Sequence, residues 1–325
     1  MPTDMHAHWF PKALNDALRE RTSPPMIPPG AADRLYDTAE SRVAEMDEHG
    51  FTRGVLSLSP VGGFDSLPLE DARPLCRKFN DATSAACKAY PDRFSGFALL
   101  PSADVSAMLD ELERALALPG MVGAVLPGDG FLSLRRAERF RPVFEVGNAR
   151  NALFLVHYGP IADDPAPYRP DVSDNPTARR GTLDMQARIS SNMITFCMTD
   201  FLDDYPNVTV ISHNLGGNIP FEIERLDHRS MVDRPNDELP SKRIRAARVL
   251  VDCNSFGPRA IEMAVAVYGA EKIVCGTDGT SFGMAWTQRA IAEARLSEAE
   301  KQAILDGNAQ AALARANRPA ATVAG

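Results

Sequence analysis

Three features of the chain predict a (β/α)8 barrel, eight parallel strands ringed by helices. Short apolar runs alternate with longer amphipathic segments along 325 residues, the pattern of a parallel sheet with helical crossovers. The runs number eight, the count at which such a sheet closes on itself. No G-x-G-x-x-G follows the first run, which weighs against the alternative of an open, doubly wound sheet.

In order, the strands are read at Thr3–His8, Gly54–Ser59, Ser95–Leu100, Val122–Leu126, Leu153–His157, Val208–His213, Val249–Asn254 and Ile273–Thr277. Apolar side chains at helical spacing mark Glu40–His49, Leu69–Tyr90, Val105–Leu116, Arg136–Arg150, Asp184–Asp204, Ile219–His228, Pro258–Tyr268 and a last stretch over Ala285–Ala316. Within that last stretch Ser297-Glu298-Ala299-Glu300 has the form of a helix start. Two connections exceed ordinary turns. One is Trp9–Ala39, after the first strand, with the proline-rich Thr22–Gly30; the other is Tyr158–Leu183, after the fifth. Both leave C-terminal strand ends, where barrel enzymes build their sites, and long loops there act as lids or substrate walls. The expectation is one domain over residues 1–316 and a small frayed tail, 317–325.

Composition narrows the function. Hydrophobic residues make up 44% and charged residues 24%, enough apolar material for a large core. A net charge of -8 spread along the sequence argues against nucleic acid, which demands a concentrated basic surface. Five cysteines without a C-x-x-C read as reduced, buried thiols of a cytoplasmic protein, those at 197, 253 and 275 as core packing. The first strand begins at Thr3, leaving no room for a signal peptide before it, and no apolar run approaches the ~20 residues that span a bilayer.

The chemistry lies in rare side chains at strand ends. His6 and His8 alternate with Ala7, so they share one face of an extended segment and can grip one divalent ion; hydrogen-bonded core histidines are the bland alternative. His157 ends Ala152-Leu153-Phe154-Leu155-Val156, and His213 ends Val208-Thr209-Val210-Ile211-Ser212. Asp278 follows Lys272-Ile273-Val274-Cys275-Gly276-Thr277. Four of the six histidines thus stand at C-terminal strand ends, which a barrel brings to one rim with Asp278. Imidazole nitrogens and a carboxylate suit Zn²⁺ or another first-row divalent ion. His49 and His228 fall in helical patterns and read as packing or surface residues.

These residues and their surroundings resemble the metal-dependent amidohydrolase superfamily, in its branch of decarboxylases typified by aminocarboxymuconate semialdehyde decarboxylase. The likeness runs nearly end to end: Asp4-Met5-His6-Ala7-His8-Trp9-Phe10-Pro11, Arg42–Gly50, Tyr90-Pro91-Asp92-Arg93-Phe94, His213–Pro220 running into Glu224–His228, and Cys275-Gly276-Thr277-Asp278. The resemblance implies that His6, His8, His157 and Asp278 are metal ligands and that His213, with Asp278, is catalytic, His213 as the acid–base residue beside the metal. There are departures at the pocket wall. Asn214-Leu215 precede the glycines after His213, Asp278 is followed by Gly279-Thr280-Ser281, and His157 by Tyr158. No lysine ends the fourth strand, so one ion rather than a carbamate-bridged pair is expected, Zn²⁺ first and Mn²⁺ second.

The resemblance leans towards non-oxidative decarboxylation of a small aromatic or unsaturated carboxylic acid. The same apparatus serves a hydrolase or hydratase acting on a lactone, amide or C–C bond, and a metal-stabilised binding protein is a third reading. Arg34, Arg169, Arg179 and Arg180 in the long loops can meet a substrate carboxylate or be solvated loop charges. Trp9, Phe10, Tyr158, Phe282 and Trp286 flank the ligand positions and can form an apolar wall for a ring. A homodimer is the expected assembly.

Overall fold

The computed structural model describes residues 1–19, 38–162 and 173–316. Eight strands form one sheet in chain order: β1 (Thr3–His8), β2 (Arg53–Ser57), β3 (Phe94–Ala98), β4 (Met121–Pro127), β5 (Leu153–His157), β6 (Thr209–Ser212), β7 (Val249–Asp252) and β8 (Ile273–Val274). Successive strands pair in parallel. Between β8 and β1, the Met5 amide donates to the Cys275 carbonyl at 2.9 Å and the Thr277 amide to the His6 carbonyl at 3.4 Å. The sheet is therefore a barrel, as the sequence predicts, and the open-sheet alternative falls.

Side-chain alternation divides the core in two. Met5, Val55, Phe97, Leu155, Ile211 and Val274 fill the barrel, and Ala309 and Ala312 of the helix Asn308–Leu313 pack with them. The opposite faces of the strands meet the surrounding helices: α1 (Lys12–Arg19), α2 (Ala39–Glu48), α3 (Leu69–Ala89), α4 (Val105–Leu116), α5 (Arg141–Ala149), α6 (Met185–Met198), α7 (Ile219–Asp233), α8 (Pro258–Tyr268) and α9 (Ser281–Glu293). Several starts are set by side-chain caps, each contributing about 1 kcal/mol. Thr38 accepts the Ser41 amide at 3.1 Å, Asp104 the Ala107 amide at 2.7 Å and Thr280 the Gly283 amide at 2.9 Å.

Differences from the sequence reading have local causes. α1 lies in what reads as a loop; Pro11 introduces it and the buried Leu14 anchors it. Arg136–Arg150 is not one helix, because Pro142 lacks an amide proton and opens a new helix, α5, after a tight turn at Glu138–Phe140. Ala285–Ala316 is also broken: Ser297 and Glu300 form a reciprocal capping box that starts a separate helix, Glu298–Gln302. The proline-rich segment after Arg19, Arg34, Arg169 and the tail 317–325 lie outside the described residues. All five cysteines are free and buried, as packing residues. Among the described residues, no helix is long and apolar enough to cross a membrane.

Candidate metal centre

At the C-terminal ends of the strands the histidines converge. His6 Nε2 lies 3.0 Å from His8 Nε2, which lies 3.1 Å from His157 Nε2. Asp278 Oδ1 stands 3.5 Å from His6 Nε2 and 3.3 Å from His8 Nε2. One ligand atom from each of these four residues falls within 4.8 Å of the others. His213 is outside this foursome; its ring stacks on His157 with centroids 4.2 Å apart and planes 21° from parallel.

Backbone shape brings Asp278 in. It adopts φ +60, a left-handed conformation rare for a residue with a β-carbon, and Gly279 continues at φ +74. A β-carbon on Gly279 would lie 2.3 Å from the His8 carbonyl oxygen, so only glycine lets the Asp278 loop close onto β1. Arg42, fully buried on α2, donates to the Gly279 carbonyl at 2.8 Å and pairs with Asp4 at 3.4 Å. Asp4 also accepts the amides of His6 and Thr277, each at 3.1 Å, so one buried ion pair ties β1 to the Asp278 loop.

Donor chemistry tests whether a cation fits. His157 Nδ1 faces the Tyr158 carbonyl at 2.7 Å, which only accepts, so its proton sits on Nδ1. His6 Nδ1 faces Asp252 Oδ2 at 2.9 Å, which fixes the proton of the neutral ring in the same way. Both Nε2 atoms then turn lone pairs towards His8 Nε2, which has at most one proton to offer and satisfies only one of them. Three converging ring nitrogens and a carboxylate oxygen fit a divalent cation, and outer nitrogens held by a carboxylate and a carbonyl are the usual support of metal-binding imidazoles. His8 Nδ1 is held in turn by Ser57 Oγ at 3.0 Å.

Titration in this cluster follows burial and charge. Without a cation, burial would lower His6, but the charge and hydrogen bond of Asp252, with Asp278 and Asp4, lift it to about 9, so a proton on Nε2 takes the place a cation would fill. Burial and the His6 charge depress His157 to about 3. His8 and His213 are held well below the usual imidazole value by burial and neighbouring histidines. Desolvation raises the Asp278 carboxyl, partly offset by His6.

The remaining sequence candidates divide. Tyr158 is half-buried beside the histidines: its amide donates to His213 Nε2 at 2.8 Å while its carbonyl holds His157. The Tyr158 ring lies 5.9 Å from the Arg188 guanidinium, which pairs with Asp129 at 2.8 Å and Asp184 at 3.1 Å. Phe282 is 74% exposed and stacks on Trp286. Trp9 and Phe10 are both buried, Trp9 in the layer between barrel and helices and Phe10 in a cluster with Leu14, Leu58, Phe64 and Phe79. Arg179 is engaged by Asp174 and Arg180 is exposed. His49 ends α2 and His228 is exposed on α7. Sequence reasoning missed Asp4, Arg42, Ser57 and Asp252; of these, Asp252 carried the same signal as the histidines, a polar residue ending an apolar run. Clefts of about 570 and 480 Å³ lie elsewhere, and neither is lined by a histidine.

The amidohydrolase family model matches residues 3–315. The chain belongs to the amidohydrolase family. A gamma-resorcylate decarboxylase from Polaromonas sp. strain JS666 is 26% identical over 296 residues, covering 87% of this chain and 89% of the relative. Two solved structures share the fold. A 2,6-dihydroxybenzoate decarboxylase complexed with 2,6-dihydroxybenzoate aligns at TM-score 0.76 and 21% identity, over 96% of this chain and 99% of its own. A 5-carboxyvanillate decarboxylase from Novosphingobium aromaticivorans, complexed with manganese and 4-hydroxy-3-methoxy-5-nitrobenzoic acid, aligns at TM-score 0.75 and 19% identity, over 97% and 96%.

Proposed function

We propose that the protein is a divalent-metal-dependent decarboxylase that removes CO₂, without oxidation, from a small aromatic acid of the hydroxybenzoate class. The observation that carries this reading is the converging donor set of His6, His8, His157 and Asp278 at the barrel mouth, in a chain whose curated relatives include gamma-resorcylate decarboxylases. Those four residues would hold the ion. By donor type the three imidazoles favour zinc and the carboxylate suits manganese, and the manganese of the Novosphingobium enzyme supports the latter. When bound, the ion acts as a Lewis acid on a substrate oxygen, favouring delocalisation of negative charge.

Loss of CO₂ breaks a carbon–carbon bond, leaves its electron pair on the ring carbon, and requires one proton in the carboxylate's place. Asp278 would hold the ion through one oxygen, and with a side chain 48% exposed to the mouth its second oxygen is placed to carry that proton. His213 is neutral, and its Nε2 is taken up by the Tyr158 amide, so any proton it passes moves through Nδ1. The backbone of Tyr158 orients both His157 and His213. The test is CO₂ release by metal-loaded protein from a panel of hydroxybenzoates and muconate-type acids. Hydrolysis of lactones or amides with no CO₂ from any acid would transfer the assignment to the hydrolase reading.

Exposed Phe221, Met231 and Val232 on α7 support a homodimer. Light scattering should give about twice 35.3 kDa, and a species of 35.3 kDa would overturn it.

A further inference from the structure

Asp252 ends β7 and is fully buried. Its two oxygens do different things. Oδ2 lies 2.9 Å from His6 Nδ1, while Oδ1 accepts the backbone amides of Asn214 at 3.2 Å and Asn254 at 3.0 Å. Two amides on one oxygen fix the plane of the carboxylate and hence the direction in which Oδ2 points.

The Asn214 amide arrives through unusual backbone. Asn214 and Leu215 both have φ +52, and Gly216 and Gly217 continue at φ +68 and +75. A left-handed conformation is unfavourable for a residue with a β-carbon, and for Leu215 especially, so the turn persists only because its surroundings hold it. The Asn254 side chain donates to Asn214 Oδ1 at 3.1 Å, and the Tyr268 hydroxyl to the Leu215 carbonyl at 3.0 Å. The strained turn after His213 thus serves to present an amide to Asp252. Gly276 completes the packing: a β-carbon there would come within 3.0 Å of the β-carbons of both Asp252 and His6.

We infer that Asp252 is a positioning residue that sets the tautomer and orientation of His6. Its Oδ2 accepts the Nδ1 proton, leaving Nε2 as a lone pair aimed at the cation; the inference rests on the metal-dependent reading above. Asp252 acts on substrate only through His6. In Asp252→Asn the amide oxygen keeps the two backbone amides and the NH₂ turns to His6 Nδ1. The ring must then carry its proton on Nε2, which closes that donor to a metal.

Metal competition against a chelator, with Mn²⁺ and with Zn²⁺, tests this on the wild type, Asp252→Asn and His6→Ala. Asp252→Asn should bind 10–100-fold more weakly (roughly the usual effect of removing such a partner) and keep its circular-dichroism spectrum. A second measurement needs no variant: long-range ¹H–¹⁵N NMR of the zinc-loaded wild type should show His6 with an exchange-protected proton on Nδ1 and metal on Nε2. A wild type that binds neither ion removes the metal reading itself. A wild type that binds while Asp252→Asn binds equally well, or in which His6 ligates through Nδ1, overturns the inference about Asp252 alone.

Discussion

His8 Nε2 and His157 Nε2 face each other across 3.1 Å, although the hydrogen bond from His157 Nδ1 to the Tyr158 carbonyl leaves no proton on the His157 nitrogen. With His6 Nε2 also 3.0 Å from His8 Nε2, three imidazole nitrogens converge on one point, which a cation would fill. About one divalent ion per chain is therefore expected, and His6→Ala or His8→Ala should remove most of it. Chelation should lower the unfolding temperature, since an ion at a thousand times its Kd stabilises by about 4 kcal/mol. Full occupancy in the His6/His8 double alanine variant, by elemental analysis, would contradict the assignment.

His213 separates binding from chemistry. Its Nε2 is occupied by the Tyr158 amide and it lies outside the four converging donors, so His213→Asn should keep the ion. Turnover should fall by roughly 10²–10⁴, the contribution of a positioned acid–base group. Parallel loss of metal and activity would make His213 a ligand instead.

Asp65 gives stability a pH dependence away from the metal centre. It is 2% exposed, and burial lifts its carboxyl to about 7, only partly offset by hydrogen bonds from its own backbone and Ser102. The folded value exceeds the unfolded one near 3.8, so the folded chain binds this proton more tightly. The resulting stability is full below the unfolded value and is lost as pH rises through about 7. The loss is at most about 4 kcal/mol. Urea unfolding of Asp65→Asn should show this part of the pH dependence gone, with the variant more stable than the wild type in mild alkali. An unchanged pH dependence would mean that the carboxyl is ionised throughout.

Gly279→Ala should damage the site without touching a ligand. Its φ of +74 strains any residue with a β-carbon, and the new atom meets the His8 carbonyl oxygen at 2.3 Å. The strain alone is about 1–3 kcal/mol, and relief requires the Asp278 loop to withdraw from β1. Weaker metal binding with a lowered unfolding temperature is the expected result, and calorimetry reads both. Wild-type affinity in this variant would show that Asp278 reaches the ion without this close approach.

The barrel was legible because each strand is a short apolar run bounded by polar residues; barrel closure brings His6, His8, His157, His213 and Asp278 to one rim, and the family resemblance implies which four of them are the donors. What stayed hidden depends on register and side-chain direction. Asp252 and Asp4 are ordinary strand carboxylates until pairing sets one against His6 Nδ1 and the other against Arg42. The contact of Phe10 with Phe64 likewise joins segments far apart in sequence. Pro142 and Ser297 break helices that apolar spacing runs together, since spacing does not register a missing amide proton or a cap.

The central claim is tested most directly by anaerobic turnover of 2,6-dihydroxybenzoate in D₂O with fully metal-loaded protein. The account predicts one CO₂ per arene formed, one deuterium on the carbon that carried the carboxylate, no need for an oxidant, and loss of the reaction in Asp278→Asn. No CO₂ from this acid or any other hydroxybenzoate, with the metal site full, would contradict it.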